Sequence, residues 1–275
     1  MHAGDAMHAP RLSASHAGAP ATGVGGPSIG PGPVQAAIDH ARARIPGDDV
    51  ERGIRPTIPR SGRAPKPRAL RPDRPAAGLR VILARVYAGF LDLHQPLFWT
   101  VDDALPADLC AEYIDRFRRR PAELAPIVGE GGRPVIELAT RNNTRIMWDD
   151  PDEAARLLER VRTRVPARLS GLALAGCNPR LRIYRYGVGE KHGAHWDTVV
   201  ELADGVRSLL TLVFYLNDGF DGGETDFVEL GARVAPRTGR ALLFQHRVLH
   251  QASGVRAGEK FVLRTDVLYG PARDA

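Results

Sequence analysis

The chain has 275 residues, 43% of them hydrophobic, which is enough for one folded domain with a substantial core plus additional sequence. The net charge of +6 arises in residues 1–80, which hold 12 Lys/Arg and 6 Asp/Glu, whereas residues 81–275 hold 26 of each sign. A neutral domain gives no reason to expect a groove that follows nucleic-acid phosphates. Two cysteines outside any CxxC pair exclude a disulfide scaffold.

Residues 1–78 are predicted to be a disordered tail rich in Pro, Ala, Gly and Arg. This composition buries too little apolar surface to offset the entropy that folding removes. Within the tail, Val34–Ile45 has the spacing of a short amphipathic helix. We interpret the tail as solvated, with a partner-binding or nucleic-acid-binding arm as the alternative. Neither a secretory signal nor a membrane-spanning apolar stretch is visible, so we expect a soluble, cytoplasmic protein.

The folded domain is predicted over residues 79–275, and two helices come early in it. Pro106–Arg120 has apolar residues at helical spacing and is followed by a proline. A second helix is predicted over Asp152–Val165, capped by Asp150 or Asp152 and stopped by Pro166.

Short strands with Gly-rich turns dominate the rest of the domain, which favours a β-sandwich or barrel. Together with the helices, they predict an α+β chain. The predicted strands are Phe98–Val101 before the helices and 181–186, 207–216, 224–229, 240–245 and 260–269 after them.

The segment His195-Trp196-Asp197 carries the first chemical signal. On a strand, residues two apart face the same side, so His195 and Asp197 would present an imidazole beside a carboxylate. A second histidine would come from His246 or His250, and their spacing of four residues does not choose between them. Two histidines and one carboxylate leave open positions on a metal, which is typical of non-haem Fe(II) oxygenases.

A cation that could bind a dicarboxylate cosubstrate follows on a later strand. Lys260 lies ten residues after His250, and Arg264 shares its strand face. A buried positive charge is costly unless it is paired, and a dicarboxylate would supply the partner. Arg264 would either assist Lys260 in binding the cosubstrate or pair with a carboxylate such as Asp266.

Three stretches carry a resemblance to a known family: RIYRYGVGEKHGAHWD, RSLLTLVFYLNDGFDGGETDF and GRALLFQHRVLHQASGVRAGEKFVLRTDVLY. They resemble the prolyl 4-hydroxylase-like branch of the Fe(II)/2-oxoglutarate-dependent dioxygenases. The resemblance implies a double-stranded β-helix, or jelly roll, with supporting helices. It implies Fe(II) bound by His195, Asp197 and His250, with His246 in a packing role. It also implies 2-oxoglutarate and O2 as cosubstrates and admits ascorbate as an accessory cofactor.

The same resemblance implies roles for the cosubstrate pocket. Lys260 matches the residue that binds the distal carboxylate of 2-oxoglutarate, and Tyr186, Thr211 and Tyr215 match residues that line its pocket. The turn Asp221–Thr225 is interpreted as structural, because its glycines allow a positive φ.

Two further groups are left with alternatives. His192 is interpreted as a solvated loop side chain, with a substrate contact as the alternative. The polar run Arg141–Arg145 is either an exposed hairpin edge or a wall that faces the substrate.

The predicted function is therefore an oxidoreductase that hydroxylates an unactivated C–H bond of a peptidyl or free amino acid, such as proline. The alternatives are a hydroxylase that tailors a small-molecule natural product and a non-catalytic jelly-roll binding module. A nucleic-acid demethylase is disfavoured by the lysine after the distal histidine. The expected partners are a peptide, an amino acid or a small molecule, without a membrane or nucleic acid, and the sequence carries no signal for an oligomeric state.

Overall fold

The structure, a computed structural model, describes residues 91–272, which form mostly antiparallel sheets with few helices. The predicted tail over residues 1–78, its helix Val34–Ile45 and the predicted start of the domain lie outside the described residues. Within residues 91–272, no helix is long and apolar enough to cross a bilayer.

The described part of the chain contains two α-helices and a succession of strands. The helices are α1 (Ala107–Arg118) and α2 (Pro151–Glu159). The strands are β1 (Phe98–Val101), β2 (Glu123–Leu124), β3 (Ile127–Val128), β4 (Pro134–Val135), β5 (Thr144–Asp149), β6 (Arg168–Leu169), β7 (Leu172–Cys177), β8 (Arg180–Tyr186), β9 (His192–His195), β10 (Arg207–Tyr215), β11 (Asp221–Gly222), β12 (Thr225–Phe227), β13 (Ala232–Val234), β14 (Ala241–Gln245), β15 (His250–Ala252), β16 (Val255–Ala257) and β17 (Lys260–Gly270). Short 3-10 turns lie at Glu130–Gly132, Arg162–Arg164, Ala203–Gly205 and Val228–Leu230.

The predicted α2 is too long at its C-terminal end. The cap is as expected, because the Asp150 carboxylate accepts a 2.8 Å hydrogen bond from the backbone N–H of Glu153. The helix ends at Glu159 rather than Val165, since the β-branched Val161 leaves the helical region at φ −119. A 3-10 turn then leads the chain into β6.

The main sheet runs in the order β1-β14-β10-β17-β8-β5-β2, with β7 also paired to β17. Its strands point alternate side chains to two layers. On β10, Leu210, Leu212 and Phe214 pack in the core shared with α1 and α2, whereas Thr211 and Tyr215 point to the opposite face. Each fully buried leucine stabilises such a layer by about 2–5 kcal/mol relative to alanine.

The opposite face of the main sheet is covered by a four-stranded sheet in the order β13-β12-β15-β9. On β17, Phe261 and Leu263 pack toward the helices, while Lys260, Val262 and Arg264 line a cavity on the other face. The alternation of the two strand faces therefore delivers polar side chains to the space between the two sheets.

Candidate metal and cosubstrate site

Three side chains converge at the cavity where the four-stranded sheet ends. His195 closes β9, His250 opens β15, and the two residues are direct partners in the antiparallel register. Asp197 joins them, and one ligand atom from each of the three residues lies within 4.8 Å of the others. The structure thus brings together the three residues that the sequence singled out.

The expectation that Asp197 shares a strand face with His195 was wrong. The strand ends at His195, so Asp197 lies in the following loop rather than two residues along a strand. The backbone N–H of Asp197 donates a 3.0 Å hydrogen bond to the carbonyl of His246, which fixes this loop. The carboxylate reaches the histidines because this hydrogen bond holds its backbone.

Both imidazoles turn the same nitrogen toward the cavity. Nδ1 of His195 lies 2.8 Å from the carbonyl of Gly193, and Nδ1 of His250 lies 3.0 Å from that of Val248. The two Nε2 atoms lie 3.6 and 3.7 Å from the Asp197 carboxylate. Metal-binding histidines commonly donate their second N–H to such a carbonyl, which leaves the other nitrogen free to bind.

The electrostatic environment favours the metal-binding protonation states. Burial lowers the pKa of His250 to about 4, so its imidazole is neutral at pH 7. Burial alone would raise the pKa of Asp197, but Arg264 and His250 hold it well below its usual range. Neutral imidazoles and an ionised carboxylate are the forms that bind a metal, and this donor set with open positions fits Fe(II).

The two late histidines have different backbone surroundings. Residues 246–249 form a turn and the strand begins at His250, so the two side chains do not share a strand face. His246 is buried, and its Nε2 lies 3.7 Å from Asp266. His246 therefore packs behind the three converging residues.

The cavity also contains a buried lysine. Lys260 is 2% exposed, and its Nζ donates a 2.6 Å hydrogen bond to the carbonyl of Gly223. Nζ lies 5.0 Å from the ring centre of Tyr186 and 5.6 Å from that of Tyr215. No carboxylate of residues 91–272 forms an ion pair with it. Burial lowers the pKa of Lys260 to about 7, although the charges of Glu224 and Asp226 oppose this shift.

Tyr186, Thr211 and Tyr215 line the same cavity as Lys260. The Thr211 hydroxyl donates to Oδ2 of Asp197 at 2.5 Å, so it contacts the candidate metal ligand directly. The Tyr215 hydroxyl is 2.7 Å from that of Thr225.

The turn Asp221–Thr225 has the predicted conformation. Gly222 and Gly223 adopt φ of 79 and 68, where a side chain would be strained. The second glycine presents its carbonyl to Lys260. The turn therefore shapes the lysine end of the cavity.

Arg264 pairs with carboxylates and not with a group near Lys260. Its Nη2 lies 2.8 Å from Oδ1 of Asp197 and 3.3 Å from Oδ1 of Asp266. Of the two alternatives for this residue, the structure shows the pairing, and it extends to a candidate metal ligand that the sequence had not connected with Arg264.

His192 was wrongly assigned to solvent. It is 8% exposed, lines the cavity and stacks on His195 with ring centres 3.6 Å apart. The register of β9 against β15 shifts between these two histidines, so residues three apart come to share one face. A bulge of this kind depends on the partner strand and leaves no signal in the local sequence.

In the polar run Arg141–Arg145, the two ends have different surroundings. Arg141 is 7% exposed and lines the cavity, in agreement with a wall that faces the substrate. Arg145 is on β5 and pairs with Glu123 on β2, at the edge of the main sheet.

Residues 181–265 match the profile of the 2OG-Fe(II) oxygenase superfamily. The matched stretch contains the three converging residues together with Lys260 and Arg264. Prolyl 4-hydroxylase subunit alpha-1 from Gallus gallus is 31% identical over 123 residues, which are 38% of this chain and 23% of the relative. The chain therefore spans about a quarter of the length of this curated relative.

Two solved structures are also similar. The prolyl-4-hydroxylase of Pseudomonas putida is 22% identical with a TM-score of 0.48, covering 68% of this chain and 98% of that one. The viral collagen prolyl hydroxylase of Paramecium Bursaria Chlorella virus-1 is 19% identical with a TM-score of 0.47, covering 63% and 96%.

The predicted resemblance to the prolyl 4-hydroxylase-like 2OG-Fe(II) oxygenases is confirmed by the superfamily match over residues 181–265 and by the similarity to the curated relatives. The predicted enzyme class and the set of Fe(II), 2-oxoglutarate and O2 are those of this superfamily.

Proposed function

We propose that this chain is an Fe(II)- and 2-oxoglutarate-dependent dioxygenase that hydroxylates an unactivated C–H bond of a peptidyl or free amino acid, such as proline. The observation that carries the proposal is a buried lysine in the cavity lined by His195 and His250, beside the cluster that these histidines form with Asp197. No carboxylate of residues 91–272 pairs with this lysine. The proposal includes a jelly-roll core within a domain over residues 79–275. Ascorbate as an accessory cofactor and a cytoplasmic location stay predictions.

His195, Asp197 and His250 would hold Fe(II). With 2-oxoglutarate and O2, the bound iron supplies the oxidising power for hydroxylation, which no side chain provides. The protein keeps both imidazoles oriented through the carbonyls of Gly193 and Val248. It also keeps the carboxylate ionised, so the site is preorganised for a divalent cation.

Lys260 would bind the distal carboxylate of 2-oxoglutarate. Removing a charged ammonium from water is unfavourable, and a carboxylate that binds beside it restores a partner. Tyr186, Thr211 and Tyr215 would form the wall along the cosubstrate and keep water out. The carbonyl of Gly223 orients the ammonium before the cosubstrate enters.

Arg264 would act as a positioning residue for Asp197. Its 2.8 Å contact fixes one carboxylate oxygen, while Thr211 fixes the other. Asp266 lies 3.3 Å from the same guanidinium nitrogen. This arrangement would limit how the carboxylate rotates and leave the cosubstrate charge to Lys260.

The test is the conversion of 2-oxoglutarate to succinate by the full chain, with and without Fe(II). We expect iron-dependent succinate formation, and Asp197→Ala should reduce it to the rate measured without protein, because a metal ligand is lost. Asp149→Ala is the matched control, since this exposed aspartate pairs with Arg180 on the surface and should leave turnover unchanged. Turnover that survives Asp197→Ala would contradict the proposed metal site.

A further inference from the structure

A third cation lines the cavity beside Lys260 and Arg264. Arg141 is 7% exposed, so its guanidinium is almost fully removed from water. Nε donates to the side-chain oxygen of Asn143 at 2.9 Å, and Nη1 donates to the carbonyl of Pro126 at 3.2 Å. These neutral acceptors orient the guanidinium but do not balance its charge. In the part of the chain that the structure describes, no carboxylate pairs with it.

Arg264 and Lys260 each have a carboxylate partner, which is observed for Arg264 and proposed for Lys260. Arg264 keeps Asp266 as a partner even when Asp197 binds a metal. Lys260 would receive the distal carboxylate of 2-oxoglutarate under the proposed function. Only Arg141, among the cavity cations of the described residues, has no carboxylate assigned to it. A desolvated guanidinium in this position favours an anionic ligand.

Arg141 lies on the wall next to a candidate metal ligand. It forms an isolated antiparallel bridge with His192, whose ring stacks on that of His195. Its guanidinium carbon lies 4.7 Å from the ring centre of Tyr184. Lys260 is held by a different group, the carbonyl of Gly223, while Tyr186 interacts with both cations. Because different groups hold the two cations, each can bind a carboxylate of its own.

We propose that Arg141 binds a carboxylate of the primary substrate, which makes that substrate an amino-acid-sized carboxylic acid rather than a residue inside a peptide chain. The inference rests on the proposed function and adds the substrate class. The planar guanidinium can donate two parallel hydrogen bonds to a carboxylate. An internal peptide group is neutral and would leave the buried charge uncompensated.

The experiment measures binding rather than turnover. The full chain is loaded with Fe(II) and 2-oxoglutarate without oxygen, and the standard L-amino acids are titrated into it by calorimetry. Each amino acid that binds is compared with its own primary amide. We expect at least one acid to bind and its amide to bind about 10- to 100-fold more weakly, because the amide lacks the charge-assisted hydrogen bonds.

Variants then test whether Arg141 causes the difference in affinity between acid and amide. Arg141→Gln should weaken the acid about 10- to 100-fold and leave the amide nearly unchanged, and Arg141→Lys should give an intermediate loss. Arg145→Gln is the matched control, because Arg145 belongs to the same polar run but pairs with Glu123. It should bind the acid as the wild type does.

Four results would overturn the inference: no amino acid binds, acid and amide bind equally, Arg141→Gln keeps the wild-type affinity for the acid, or Arg141→Gln loses affinity for 2-oxoglutarate instead. The acid-to-amide comparison uses the wild type, so it stands even if a variant fails to fold. A preceding titration with 2-oxoglutarate separates the two claims. A wild type that does not bind 2-oxoglutarate contradicts the proposed function, whereas binding of 2-oxoglutarate without any amino acid contradicts only the role of Arg141.

Discussion

Lys260 and Arg264 lie four residues apart on the same face of β17, yet their surroundings differ in one respect. Arg264 contacts two carboxylates, those of Asp197 and Asp266. Lys260 contacts a backbone carbonyl and two aromatic rings, with no carboxylate from residues 91–272 beside it. The paired cation can hold part of the protein in place, whereas the unpaired one is available to a ligand.

The same contrast is seen in the two pKa values. Burial disfavours the charged form of both side chains. For Arg264, the nearby carboxylates of Asp197 and Asp266 outweigh burial, and the pKa is raised. For Lys260, burial outweighs the more distant Glu224 and Asp226, and the pKa falls to about 7. Lys260 therefore gains most from an anionic ligand.

The largest effect is expected from the loss of Lys260. Lys260→Ala should weaken 2-oxoglutarate about 100-fold or more, because the distal carboxylate would be buried without its partner. Calorimetry without oxygen, on protein that holds Fe(II), measures this affinity. The matched ligand is 2-oxobutyrate, which lacks the distal carboxylate and should bind the variant and the wild type similarly. Equal losses for both ligands would mean that Lys260 supports the fold and not the cosubstrate.

A smaller effect is expected from the loss of Arg264. Arg264→Leu should weaken Fe(II) about 10- to 100-fold, because Asp197 loses the group that orients it. Metal titration measures this affinity, and Arg264→Lys should recover part of it by restoring the charge. The variant should keep most of its affinity for 2-oxoglutarate at saturating Fe(II). If Arg264→Leu instead lost 2-oxoglutarate while Fe(II) bound normally, Arg264 would assist Lys260.

The smallest effect is a pH dependence. With a pKa of about 7, Lys260 is charged below pH 7 and loses its proton above it. The charged form binds the dicarboxylate, so affinity for 2-oxoglutarate should be flat below pH 7 and fall by up to about tenfold per pH unit above it. Titrations between pH 6 and 8, across which the total loss is at most about tenfold, measure this slope, with 2-oxobutyrate as the control. A slope of the same size for 2-oxobutyrate would mean that the pH dependence arises at the metal site and not at Lys260.

Strong local patterns made much of the fold predictable. The long apolar runs of β10 and β17 gave both strands nearly to their ends. The strand predicted over 224–229 is only Thr225–Phe227, because the chain then enters a 3-10 turn. β5 and β7 were not among the predicted strands, because their residues are largely half-buried and carry weak alternation.

The site was predictable where the motif specifies residue identity and unpredictable where the contact depends on a neighbouring strand. His250 could be chosen over His246 only through the family resemblance, and the turn that separates them explains the choice. The inward position of His192 depends on a register shift against β15. The pairing of Arg264 with Asp197 joins a strand to a loop 67 positions earlier in the chain, a contact that no local pattern encodes.

The most direct test of the central claim is the visible absorption spectrum of the protein with Fe(II) and 2-oxoglutarate in the absence of oxygen. The wild type should show a weak metal-to-ligand charge-transfer band from the iron–cosubstrate chelate. His246→Ala should keep the band, because His246 packs behind the site, and His250→Ala should lose it. A band that persists in His250→Ala, or a wild type that binds iron without showing one, would contradict a metal and cosubstrate site built on His195, Asp197 and His250.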